Sequence, residues 1–179
     1  MTDTLLIARS WKFACDRHSH QRRKGEAQEP YVNHLAEVAE LVATATEGKD
    51  VNLIVAAVLH DTVEDTDTLP SEIAAEFNDD VAGLVAEATD DKSLEKSERK
   101  RLQVVNAAKK TDRAKLLKLA DKTSNLRSIA NSPPKGWSQE RQRDYLDWAL
   151  KVAAGLRGVN PWLEARFDEV AEQLRLALR

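Results

Sequence analysis

Two imidazoles and several carboxylates stand in places where a soluble helical protein has little structural use for them. The apolar run Val51–Leu59 ends abruptly in His60, Asp61, Thr62, Val63, Glu64, Asp65, Thr66 and Asp67. A helix carries partial negative charge at its C-terminal end, so acids gathered there oppose the macrodipole by about 0.3–1 kcal/mol each. That cost asks for a cation among them. At helical spacing His60 lies one turn before Glu64, and Asp61 lies within a turn of Glu64 and Asp65, so a continuous helix would converge these groups on one point. The alternative is a solvated acidic helix end with His60 as an ordinary core residue. An almost unbroken apolar run feeding H-D-T-V-E-D-T argues against it.

A second anomaly lies at 116–126, where the apolar face through Leu117 continues four residues on to Asp121 and four more to Asn125. A buried carboxylate must be paired, protonated or bound to metal. The spacing alone leaves open an ion pair of Asp121 with Lys118 or Lys122. The third piece is Pro30-Tyr31-Val32-Asn33-His34, in which Asn33 reads as a helix cap and His34 as an early helical residue. His34, His60, Asp61 and Asp121 then form a set of two nitrogens and two oxygens. Such donors, without sulfur, suit manganese, iron(II), zinc or magnesium, and the carboxylates favour the harder ions, manganese first. A bound divalent ion lowers the pKa of its water and screens a phosphate under attack. Glu64 and Asp65 are left to orient or deprotonate that water.

Anion binding has its own candidate in Gln21-Arg22-Arg23-Lys24-Gly25, three cations followed by an irregular stretch to Pro30. Such a turn can clamp phosphates or stack a base on a guanidinium plane. The mixed-sign run Lys92–Arg101 reads as an exposed helix without chemistry. No Gly-rich phosphate loop and no Gly-x-Ser-x-Gly elbow occurs, which leaves kinase, dehydrogenase and serine hydrolase readings unsupported. The lone Cys15 sits within the predicted first helix with no base assigned to activate it, so metal-activated water is the better nucleophile.

These groups must be carried by helices. Apolar residues recur at three- and four-residue spacing, and no strand-like alternation runs beyond a few residues. Helices are predicted over Asp3–His20, Asn33–Thr44, Val51 to Glu64, a short stretch after Pro70, Val81–Ala88, Ser93–Ala107, Arg113–Ala130, Ser138–Leu156 and Pro161–Leu178. Asp50 and Asn160 read as N-caps, and Asn131–Gly136 must be a loop around Pro133-Pro134. The 179 residues suit one all-α domain, with 42% hydrophobic and 32% charged residues. The net charge of −3 disfavours a nucleic-acid polymer as partner. No signal or membrane segment is read, and one cysteine excludes an internal disulfide; the expected compartment is cytoplasmic.

Taken in order, H-x-x-Q-R-R-K (18–24), P-Y-V-N-H (30–34), A-A-V-L-H-D-T-V-E-D-T (56–66), V-A-G-L-V-A-E-A-T-D-D-K (81–92) and K-L-A-D-K-T-S-N-L-R (118–127) resemble the hydrolase half of RelA/SpoT-type alarmone enzymes. The likeness is greatest to the stand-alone Mesh-type small alarmone hydrolases and continues through G-W-S, D-Y-L-D-W-A and G-L-R-G-V-N (136–160). The resemblance implies an HD-domain bundle of eight to ten helices spanning 1–179, and Mn2+ dependence. It also implies removal of the 3′-pyrophosphate from guanosine tetra- and pentaphosphate (ppGpp, pppGpp) to leave GDP or GTP. Its metal ligands fall on His34, His60, Asp61 and Asp121, its acidic pair on Glu64 and Asp65, and its nucleotide contacts on Arg23, Lys24, Asn125 and Tyr145. Leu35 stands where the family pattern has proline, which implies an altered start to that helix. No synthetase region follows, so degradation without synthesis is expected. Two rival readings keep the site: another ribose-phosphorylated nucleotide such as NADPH as substrate, or a non-catalytic nucleotide sensor.

Overall fold

The computed structural model describes all 179 residues as ten α-helices without a strand. In chain order they are α1 (Asp3–Arg17), α2 (Val32–Ala45), α3 (Val51–Leu59), α4 (Thr62–Asp65), α5 (Pro70–Glu76), α6 (Asp79–Ala88), α7 (Lys96–Ala107), α8 (Asp112–Asn131), α9 (Gln139–Ala154) and α10 (Pro161–Ala177). No helix is long and apolar enough to cross a membrane.

Two helices run through the interior. α3 is apolar on every side because every side is covered: Leu53 through Leu59 are all buried, against α1, α2 and α6. α8 packs on α2, α3, α6, α9 and α10, and Leu116 through Ser124 are buried without a break. The apolar stripe expected on α8 is therefore a wholly enclosed stretch, and Lys118, Asp121 and Lys122 are buried polar groups within it. Such groups need partners at short range.

Local capping accounts for most boundaries. Asp50 Oδ1 accepts from Leu53 N at 3.0 Å and Asn160 Oδ1 from Leu163 N at 2.9 Å, as expected, with Pro161 in the first turn of α10. Thr111 and Ser138 do the same for α8 and α9. Three expectations are corrected. α1 ends at Arg17 rather than His20. Asn33 is not a cap, because α2 already starts at Val32 and Tyr31 precedes it in helical conformation. The helix that begins at Val51 is interrupted at His60 and Asp61 before α4 begins. His34 is thus the third residue of α2, and fully buried Leu35 occupies the fourth.

Candidate active site

The interruption after α3 turns two consecutive side chains toward one centre. His60 Nε2 lies 3.1 Å from Asp61 Oδ2. α2 supplies His34, whose Nε2 is 3.5 Å from Asp61 Oδ2 and 3.4 Å from Asp121 Oδ1, and α8 supplies Asp121, 3.9 Å from His60 Nε2. Donor atoms of His34, His60 and Asp121 all fall within 4.8 Å of one another, and Asp61 stands against the same two nitrogens. Ligands about 2.1 Å from one ion at right angles sit about 3.0 Å apart, so these spacings lie close to a coordination shell.

The tautomer of His60 is settled by the backbone. Its Nδ1 lies 2.8 Å from the Ala57 carbonyl oxygen, which only accepts, so Nδ1 carries a proton. Nε2 is buried and has no hydrogen-bond partner. A neutral His60 thus keeps an unshared lone pair on Nε2, 3.1 Å from Asp61 Oδ2 and 3.9 Å from Asp121 Oδ1. An orphaned buried nitrogen with two acids and a second imidazole beside it is the donor arrangement that a divalent cation fits. Without a cation a proton takes that place. Burial pushes the His60 imidazole down, but the charges of Asp61 and Asp121 outweigh it and hold its pKa up at about 9.

The ion-pair reading of Asp121 holds, with Lys122 as the partner, and the same carboxylate stands beside the two imidazoles. Oδ2 accepts from Lys122 Nζ at 3.0 Å and Oδ1 from Asn125 Nδ2 at 2.5 Å. Burial alone would raise the carboxyl; Lys122 and the imidazoles hold it far below the usual range. Lys118 is not the partner, for its ammonium donates to the Ala88 carbonyl at the end of α6, 2.8 Å away.

Both acids on α4 lie beside this centre but face different neighbours. Asp65 Oδ2 is 3.2 Å from the Tyr31 hydroxyl, and its other oxygen pairs with Lys92. Glu64 accepts from the Asp90 backbone N–H at 3.0 Å and stands 3.9 Å from Arg99. Burial raises the Glu64 carboxyl, only partly offset by that N–H. The continuous helix expected to carry His60 and Glu64 on one face is interrupted between them, and Glu64 takes the Asp90 N–H as its partner.

A cleft of about 720 Å³ adjoins the centre. Arg23, Lys24, Asp65, Asn125 and Tyr145 all line it, while Glu64 does not. Arg23 donates to Asn125 Oδ1 at 3.0 Å, which ties the basic loop to Asp121 through one amide. Arg22, Arg23, Lys24, Lys96, Lys100 and Arg141 oppose only Asp65 and Asp144 on the walls, so a chain of net charge −3 presents a strongly positive cavity suited to a polyanion. Trp137 and Tyr145, 5.7 Å apart, form an aromatic wall, with Trp148 5.2 Å behind Tyr145.

Sequence reasoning missed several of these residues. Tyr31 was passed over, yet its hydroxyl donates to Asp61 Oδ2 at 2.6 Å. The run Lys92–Arg101 is not free of site contacts, since Lys92 meets Asp65, and Lys96 and Lys100 line the cleft. Their spacing of four was a usable signal, but only the packing of α7 on α9 turns that face inward.

With this geometry in view, comparison with known proteins is direct. Residues 10–158 match the HD domain family. A guanosine-3′,5′-bis(diphosphate) 3′-pyrophosphohydrolase of Drosophila melanogaster named MESH1 is 49% identical over 162 residues, 90% of each chain. The Homo sapiens protein of that name is 45% identical over 93% of each. A solved structure described as a metazoan ortholog of SpoT that hydrolyzes ppGpp superposes with a TM-score of 0.90 at 48% identity over 94% of each chain. The chain is a metal-dependent hydrolase of the HD domain family and belongs to its MESH1 group.

Proposed function

We propose that this chain is a manganese-dependent 3′-pyrophosphohydrolase of guanosine tetra- and pentaphosphate, forming GDP or GTP and pyrophosphate. One observation carries the reading: residues lining a strongly cationic cleft are hydrogen-bonded to two of the four candidate ligands, Tyr31 to Asp61 and Asn125 to Asp121. A substrate with two separated diphosphates needs such a cleft for the group it keeps and the centre for the group it loses. The MESH1 relatives at 45–49% identity are named as pyrophosphohydrolases of the same substrate class.

In this reading His34, His60, Asp61 and Asp121 would hold the divalent ion, which would supply Lewis acidity and a water of lowered pKa. Water oxygen bonds to the phosphorus attached at the ribose 3′ oxygen, the bond between them breaks, and that oxygen takes up a proton as pyrophosphate leaves. Asp65 orients the attacking water, and Glu64, with its raised carboxyl pKa, exchanges the proton. Tyr31 stays a neutral donor because burial and the Asp61 and Asp65 charges push its phenol far above the ordinary value. Arg23, Lys24 and Asn125 grip the nucleotide, and Tyr145 with Trp137 offers it an aromatic surface.

The test is product identification after metal analysis. Manganese-loaded protein should release GDP and pyrophosphate from ppGpp and act less well on a ribose 2′-phosphorylated nucleotide. No turnover of ppGpp by metal-replete protein rejects the assignment.

A further inference from the structure

His34 and His60 acquire their ligand tautomers in different ways. A backbone carbonyl fixes His60, and no side-chain substitution removes that carbonyl. His34 depends on side chains: its Nδ1 lies 2.8 Å from the hydroxyl oxygen of Ser124, on α8. A hydroxyl has one proton, and here its destination is decided by a third residue. Ser124 Oγ donates to Glu37 Oε2 at 2.5 Å, and Glu37 Oε1 accepts from Arg127 NH1 at 2.5 Å. A carboxylate paired with a guanidinium only accepts, so the serine proton is committed to Glu37. Ser124 then has only a lone pair to offer, Nδ1 of His34 must be the donor, and Nε2 is left unprotonated facing Asp61 and Asp121.

We propose that Ser124 and Glu37 are positioning residues that set the metal affinity of the centre by holding His34 in its ligand tautomer and orientation. The inference rests on the assignment of His34 as a metal ligand and extends it to two groups that touch neither metal nor substrate. Burial supports it: His34 and Ser124 are 3% and 1% exposed, and the hydroxyl oxygen is the partner Nδ1 meets, at 2.8 Å. His34, Ser124, Glu37 and Arg127 all border a second, wholly polar cavity of about 200 Å³, which shares Arg23 and Ser128 with the main cleft. The chain of bonds thus runs from the candidate metal centre along the wall of this cavity. Partners that orient metal-bound histidines are typically worth about 10–100-fold in metal affinity.

The experiment titrates manganese into metal-free protein, read by electron paramagnetic resonance, for the wild type, Ser124→Ala, Ser124→Thr, Glu37→Gln and His34→Ala. Nitrogen-15 imidazole spectra report the His34 tautomer in the metal-free forms. Ser124→Ala should bind manganese 10–100-fold more weakly and show a mixed His34 tautomer, while Ser124→Thr, which keeps the hydroxyl, restores both. Glu37→Gln should fall between, because its amide can also donate to Ser124 and release the serine proton toward His34. A merely structural role for the α2–α8 contact would lower thermal stability without changing the tautomer. Loss of binding in His34→Ala together with wild-type affinity and tautomer in Ser124→Ala overturns the proposal alone. Wild-type affinity in His34→Ala overturns the ligand assignment, and the proposal with it.

Discussion

Asp121 is both the partner of buried Lys122 and a candidate metal ligand, and the two roles can be tested separately. Replacing it with alanine removes a candidate ligand and also strips Lys122 of the carboxylate 3.0 Å away. Both side chains are deeply buried, 9% and 5% exposed, so solvent does not screen the loss. Breaking a buried pair from one side costs about 3–5 kcal/mol, because the surviving charge stays desolvated. For a chain of this length that corresponds to a Tm lower by about 6–20 °C. Removing the second charge as well, in Asp121→Ala with Lys122→Met, should recover most of the stability, since Lys122 already packs 4.9 Å from the Trp148 ring and a thioether suits that contact. Metal binding should stay lost in both. Urea denaturation in the presence of chelator measures the first quantity, with an unchanged m-value as the check that only stability moved, and manganese titration measures the second. A single variant that costs under 1 kcal/mol, or a double variant no more stable than the single, would refute the buried-pair reasoning. Restored metal binding in the double variant would refute Asp121 as a ligand.

Other expectations follow from the same geometry. Tyr31→Phe keeps the ring stacked on His18, 5.2 Å away, and removes the hydroxyl's bonds to Asp61 and Asp65; it should cost about 1.5–3 kcal/mol of metal binding, with no pH dependence from the phenol because burial and the two carboxylates hold its pKa up, as manganese titration at several pH values will show. Glu64→Gln should lower kcat by about 10²–10⁴; burial raises this carboxyl, so the wild-type acidic limb should lie above that of an ordinary glutamate, and pH–rate profiles should find that limb gone in the variant. Manganese uptake should release a proton, since His60 titrates at about 9 in the metal-free centre; calorimetry in buffers of different ionisation enthalpy should show affinity rising as pH climbs toward that value. The sign for stability is opposite: a pKa raised above the unfolded value stabilises the metal-free protein fully below about 6.5, and this is lost as pH rises through 9, which melting curves in chelator should reveal. Lys100→Ala should raise KM more than it lowers kcat, because the residue lines the cleft and does not contact the candidate ligands; steady-state kinetics decides.

How much could be read in advance depended on whether a residue broke a local rule. His60, Asp61 and Asp121 did so conspicuously, as polar groups closing or interrupting apolar helix, and the structure brings them and His34 to one centre. Tyr31 broke no rule: an aromatic before a helix is unremarkable until the turn after α3 delivers Asp61 to its hydroxyl. The helix interruption at His60 and Asp61 was hidden because neither glycine nor proline marks it. Lys96 and Lys100 look solvated in sequence because a charged helix has no preferred side until a neighbour is chosen for it, and α9 begins 43 residues after Lys96. Ser124 and Glu37 lie 87 positions apart and meet only through the packing of α2 on α8.

The basic loop and the proline loop are sewn together at one point. Lys135 N–H donates to the Lys24 carbonyl at 2.9 Å, and Gly25 bridges to Pro134. A Cβ at Gly25 would come within 2.6 Å of the Ser132 carbonyl oxygen, so any larger residue pries the seam apart. Because Arg23 and Lys24 ride on one edge of that stitch and Trp137 on the other, the two banks cannot part independently. A residue larger than glycine at position 25 should therefore disturb the basic loop and the aromatic wall together.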